Sequence, residues 1–172
     1  ALLTTAQLDA LSTDDLRALS TAQVAALTTQ QLVSLANDVA AFETADLASL
    51  GTKQIASLTT AQVVALGTAG IDTLLPAQIA ALSTLQLNAL TNDQLGALAA
   101  ADVVLLSTAQ IASLGSDDLV KLSTDALASL TAGQIAKLSD AQIDGFTSRE
   151  MQALTPKQLG SLSTSQIIGL ST

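Results

Sequence analysis

At 172 residues the chain is long enough for one ordinary domain, and six basic against 15 acidic side chains leave a net charge of -9. It has no Cys, His, Trp or Tyr, one Met and two Phe, which excludes an imidazole base, a thiolate nucleophile, a zinc finger and an ordinary haem ligand. The acidic balance opposes nucleic-acid binding, which runs on Lys and Arg, and without aromatic platforms base stacking is closed as well.

In chain order, one pattern repeats every eight residues. Residues 4–35 hold four octads, TTAQLDAL, STDDLRAL, STAQVAAL and TTQQLVSL; residues 36–42 are a seven-residue copy, ANDVAAF; residues 43–170 hold 16 more octads without interruption. The consensus is [ST]-T-A-Q-[LIV]-A-[AS]-L. Position eight is Leu in 19 copies and Phe at Phe42 and Phe146; position five is always an unbranched or branched aliphatic such as Leu8, Val24, Ile55 or Met151. Position four is Gln in 13 copies and Asp or Glu in six, and position one is Ser or Thr in 14 and Gly at Gly51, Gly67 and Gly115.

Each octad predicts one short helix with its own start signal. A Ser or Thr followed three residues later by Gln or Glu is a capping box, in which each side chain bonds the other residue's backbone N–H. Gly also suits an N-cap. Pro76 and Pro156 both stand at position two, the first helical residue in this register, where the missing N–H costs nothing. Asp15, Asp102 and Glu150 fall in first turns and Lys121 and Lys137 in last turns, as the helix dipole favours. A single continuous helix would let the Leu stripe drift by ~80° per octad, so no one side could bury it. A β-solenoid is the other rival, but strict inward–outward alternation is missing and capping boxes have no role in a strand.

Seven helical residues rise only about 10 Å, or two turns, and isolated helices need about 12–15 residues to persist. Each helix must therefore be held by its neighbours. The expected fold is all-α, a solenoid or superhelix of about 21 very short helices spanning residues 1–172 as one array, with positions five and eight in its interior and stability building up along it. The short copy at 36–42 should change helix length or winding locally, with Phe42 filling the altered space. The chain starts at Ala1 without an initiator Met and stops two residues into another octad, which reads as a segment of a longer protein. Its apolar runs fall well short of the ~20 residues that span a bilayer, so no membrane insertion is expected, and no basic stretch opens it as in a signal peptide.

No residue stands out as catalytic, cofactor-binding or metal-ligating. The Thr ladder at position two (Thr5, Thr13, Thr21, Thr29, Thr60, Thr68) could be read as an ice-binding lattice, but Asn, Pro, Asp, Ser and Ala interrupt it. The pairs Asp14–Asp15 and Asp117–Asp118 lack the further oxygens and turn glycine of a calcium loop, and the second Asp of each takes the capping-box place. Thr155-Pro156-Lys157-Gln158-Leu159 is similar to the opening of the TAL-effector DNA-binding repeat over those five residues alone, with a different period and no base-reading loop.

The wider pattern, as in Leu106-Ser107-Thr108-Ala109-Gln110-Ile111-Ala112-Ser113-Leu114, resembles octapeptide arrays of the type L-[ST]-T-A-Q-[IV]-x-A-L in very large bacterial surface proteins labelled as haem-utilisation or adhesion proteins. The resemblance covers essentially the whole chain and implies a secreted or cell-surface stalk. The expected function is a non-catalytic spacer; the alternative is a protein- or ligand-binding module that uses the variable positions three and six. The expected partners are neighbouring octads and, through the aliphatic Leu2, Leu3 and Ile168 at the ends, further copies of the chain stacked end to end.

Overall fold

A computed structural model describes residues 3–169. Leu2, Leu170 and the outermost bounds of the 1–172 array lie outside the described residues. Among the described residues the secondary structure is helical throughout, as 20 α-helices and the 3-10 helix Ala36–Ala41, and no strand forms. The solenoid-like all-α fold is the one the octad pattern predicts, with one helix in each octad.

The helices are shorter than two turns. Thr108–Ser113 has six residues and Thr84–Leu87 four. The cause lies at position eight. The Leu N–H donates to the carbonyl of position five, three residues back, as in Leu58 to Ile55 at 3.2 Å and Leu114 to Ile111 at 3.3 Å. That 3-10 closure ends the helix. At Leu114 the backbone then turns extended, with φ -65 and ψ 140, and the next position one follows in extended geometry as an N-cap.

The chain divides into two compact bodies, Ala1–Ala89 and Leu90–Thr172. In the first, Thr5–Asp9 packs on Thr29–Ser34, that helix on Thr52–Ser57, and that one on Pro76–Ala80. In the second, Ala100–Val103 packs on Thr124–Ser129, which packs on Ser148–Ala153. Within each body these helices meet the helix three octads on, so each body coils with between three and four octads to a turn. Position five is buried in every octad from Leu8 to Ile143, and position eight in every octad from Leu27 to Phe146 and at Leu154. Three-residue spacing places both on one face of a helix, and two-turn or shorter helices can be stable only through this burial.

Two octads enter their helices differently. The seven-residue copy forms the 3-10 helix Ala36–Ala41, entered directly from an α-helical Leu35 through Ala36 at φ 46. The expected local change is therefore in winding, and Phe42 is buried beside it. At residues 67–74 the expectation of an N-capping glycine fails. Gly67 has φ +65 and is the first residue of helix Gly67–Thr73, which runs on from an α-helical Leu66. Glycine is needed there for its left-handed backbone rather than as a cap. Gly70 replaces the usual Gln in the same octad, and a Cβ on it would lie 2.8 Å from the Cβ of Leu66. Gly51 and Gly115 do take the N-cap place.

Candidate functional site

The chemistry that recurs along the chain is concentrated at positions one and four. The capping box forms as the spacing predicts. In octad 107–114 the Gln110 N–H donates to Ser107 Oγ at 3.2 Å and the Ser107 N–H donates to Gln110 Oε1 at 2.7 Å. Octads 28–35, 59–66 and 131–138 repeat both bonds. Where position one carries no hydroxyl, only the return bond remains, from Gly51 N–H to Gln54 Oε1 and from Leu75 N–H to Gln78 Oε1, both at 2.6 Å.

The other end of the same glutamine has a role that the octad pattern alone does not reveal. Gln78 is buried, and its Nε2 donates to the carbonyls of Leu50 at 2.7 Å and Leu47 at 2.8 Å. Those residues are positions eight and five of the octad four back, at the C-terminal end of helix Thr44–Ser49. Gln86 reaches Leu58 and Ile55, Gln134 reaches Leu106 and Val103, and Gln166 reaches Leu138 and Ile135, always 28 and 31 residues back. Carbonyls at a helix C-terminus have no partner within their own helix, so each of these glutamines caps its own helix start and a helix end one turn earlier. No buried side-chain nitrogen or oxygen among the described residues lacks a partner.

The short octad shows what this ladder counts. Across residues 36–42 the spans shrink by one: Gln54 reaches Leu27 over 27 residues at 2.7 Å, and Gln62 reaches Leu32 over 30 at 2.7 Å. The register follows octads rather than residues, and the 3-10 winding of Ala36–Ala41 absorbs the missing one. An acid at position four keeps the cap, as when Ser12 N–H donates to Asp15 Oδ2 at 3.0 Å or Ala99 N–H to Asp102 Oδ2 at 2.8 Å. An ionised carboxylate cannot donate the second bond.

The remaining polar residues have plain surroundings. Asp15 is held below its ordinary value of 3.8 by the Ser12 hydroxyl and then by the Ser12 N–H. Asp14 lies 3.4 Å from Arg17 with both side chains exposed. Asp118 accepts from Gly115 N–H at 3.3 Å, and Asp117 is exposed. Neither pair gathers further ligands, and among the described residues no three carboxylates come together as a metal site would need. Of the Thr ladder, Thr13, Thr21, Thr29, Thr60 and Thr68 are exposed and Thr5 is half-buried. The side chain at position three, from Ala6 and Asp14 through Lys53 and Leu85 to Lys157, is exposed in every octad, and position six is exposed or half-buried. A surface depression of about 410 Å³ is lined by Asn37, Thr60, Ala61, Val64, Ala65 and Ala89, none of them titratable.

A family described as the ALTTAQ repeat matches residues 1–37 and 39–75, less than half of the chain. The two matched stretches are separated at Asp38, inside the seven-residue octad. The match supports a tandem-repeat array. No curated protein matches the chain at a significant level.

Proposed function

We propose that the chain is a non-catalytic structural repeat domain, a spacer or stalk in a large bacterial surface or secreted adhesion protein. The observation that carries this reading is how the recurring polar groups are used. Position-one hydroxyls such as that of Ser107 serve caps, and position-four glutamines such as Gln78, Gln86 and Gln134 spend both ends on caps and turn-to-turn bonds. What is left for solvent at position three changes from Ala to Asp, Gln, Lys, Leu, Arg and Ser without a shared chemistry. A surface with constant chemistry would point to a ligand; a surface that varies over a constant interior points to a scaffold whose length matters. The resemblance of the octads to arrays in bacterial surface proteins supports the location.

The second reading, a binding module, draws on the same exposure of positions three and six. Surface display separates the two. The chain is placed between a bacterial anchor and an epitope, whole or shortened by octads. A spacer loses epitope accessibility in steps as octads are removed, and keeps it when Gln30, Lys53, Asp125 and Arg149 are all changed to Ala. A binding module responds the other way, losing partner adhesion with those four changes at full length.

A further inference from the structure

The turn-to-turn ladder has a gap inside each body. In the first body Gln62 holds octad 28–35 at the Leu32 carbonyl and Gln78 holds octad 43–50 at the Leu50 carbonyl, both at 2.7 Å. The seven-residue octad between them takes part in no such bond. The residue placed to reach it from four octads on is Gly70, which has no side chain. Its own position-four residue, Asp38, is an exposed carboxylate that, once ionised, has no proton to donate. Ala36 at φ 46 adds a left-handed cost, and the 3-10 winding of Ala36–Ala41 makes poorer hydrogen bonds than an α-helix.

The second body has the same arrangement. Gln142 holds octad 107–114 at the Leu114 carbonyl and Gln158 holds octad 123–130 at the Leu130 carbonyl, both at 2.6 Å. For octad 115–122 between them, Glu150 stands where the donating glutamine belongs, 28 residues on from Leu122 and 31 from Leu119. Its Oε2 accepts the Thr147 N–H at 2.6 Å, so the cap survives, but the ionised acid cannot donate. Asp118, at position four of octad 115–122 itself, accepts from Gly115 N–H and has the same limit. Among the described residues no side-chain donor reaches the carbonyls of Val39, Phe42, Leu119 or Leu122. All four side chains are buried, so these two octads are folded, held by burial and their own short helices without a rung in either direction.

We propose that octads 36–42 and 115–122 are release points: stretches that open first under tension and lengthen the chain while the octads on either side stay bound. Opening any interior octad exposes its two aliphatic side chains. Opening a laddered octad also breaks its rungs, and each net hydrogen bond shifts that equilibrium by a further factor of about two to ten. The neighbours on both sides are tied by glutamines to other turns, so an opening stops at them. An extended residue spans at most about 3.3–3.6 Å, so each octad lets out no more than about 25–29 Å. Local opening of this kind draws on the least stable parts of a fold. The opening is a property of the fold, and its use in a stalk rests on the spacer reading.

Hydrogen exchange of the 172-residue chain at pH 7, read by mass spectrometry and corrected for intrinsic rates, locates the openings. Octads 51–58 and 131–138 each give and receive a rung. Residues 36–42 should exchange at least about tenfold faster than 51–58, and residues 115–122 at least about tenfold faster than 131–138. Glu150→Gln keeps the capping acceptor, restores the commonest residue at position four and supplies the missing donor. It should slow exchange at 115–122 about three- to tenfold and leave 36–42 unchanged. Stretched from its two ends in magnetic tweezers, the parent chain should lengthen first in two steps of no more than about 3 nm, and Glu150→Gln should move one of them to higher force. Protection at 36–42 and 115–122 equal to that of the laddered octads, a Glu150→Gln chain in which 115–122 is unaltered or all octads slow alike, or a single all-or-none extension would overturn the release points. The expected steps in a chain whose surface display does not depend on its length would keep the release points and sink the spacer reading instead.

Discussion

Glutamine at position four is preferred over glutamate for a reason that lies outside its own octad. Either residue can accept the N-cap N–H, and a capping box is usually drawn with both. Only the amide can also donate, and the carbonyls it meets are in a preceding turn. Gln62, at 0 % exposure, is the residue where this matters most visibly. The cap alone predicts that Gln110→Ala costs about 0.5–2 kcal/mol; burial of Gln110 in the folded chain places the expected loss at the upper end of that range. Asn88→Ala, at an exposed position six, should change stability by less than about 0.5 kcal/mol. Urea unfolding of the two variants compares them, and equal losses would contradict the register. Asp15 gives a weaker, pH-dependent signal. Its carboxylate is stabilised by Ser12 in the folded chain, so its contribution is present above the ordinary carboxylate range and fades as pH falls through its lowered folded value. Asp15→Asn should remove that part of the acid sensitivity in an unfolding titration from pH 6 to 2.

At the scale of single helices, both irregular octads have a position that disfavours a Cβ, one occupied by Ala and one by Gly. Ala36 holds φ 46 with a side chain that disfavours it. Ala36→Gly should raise stability by about 1 kcal/mol, because the left-handed cost is relieved, partly offset by the freer unfolded chain. Gly70→Ala should lower stability by about 1–3 kcal/mol, since the new Cβ meets Leu66 Cβ at 2.8 Å and a backbone must shift. Thermal unfolding of both variants tests the pair; the same sign for both would show that the backbone angles are misassigned. Much at this scale is legible in the sequence. The capping boxes, the prolines at position two, the interior positions five and eight and a disturbance at residues 36–42 all follow from local rules. Two features do not. The early stop of helices such as Thr108–Ser113 depends on a position-eight Leu turning extended to reach the next cap, and Gly67 looks like the other position-one glycines although its backbone is left-handed.

For the whole molecule the missing information was the distance between partners. An eight-residue period specifies what each octad buries but carries no mark of how many octads make a turn. That number emerges only in three dimensions, where helices pack on those three octads on and a Gln Nε2 meets carbonyls four octads back, and the register holds across the short octad because the span drops from 28 to 27 residues with it. The outer face was legible as variable and solvated, from the unlike residues at positions three and six, and its chemistry was legible as sparse. Because each turn repeats the last, removing all of residues 107–114 should cost less stability than removing residues 111–114 alone, which puts the rungs that span the gap, such as Gln134 to Leu106, out of register; chemical unfolding of the two deletions checks this. The central claim is that position-four amides tie successive turns together. Unfolding of Gln134→Glu against Gln7→Glu at pH 7 tests it most directly. Both keep the capping acceptor, but only Gln134 donates to another turn, to Leu106 at 2.7 Å and Val103 at 3.0 Å. Gln134→Glu should lose about 2–4 kcal/mol through an unpaired buried charge and two deprived carbonyls, and regain part of it toward pH 5, where the acid, held above its unfolded value of about 4.3 by burial, takes up a proton and can donate again. Gln7→Glu should change little. Equal, small losses in both variants, with no recovery on acidification, would contradict the ladder.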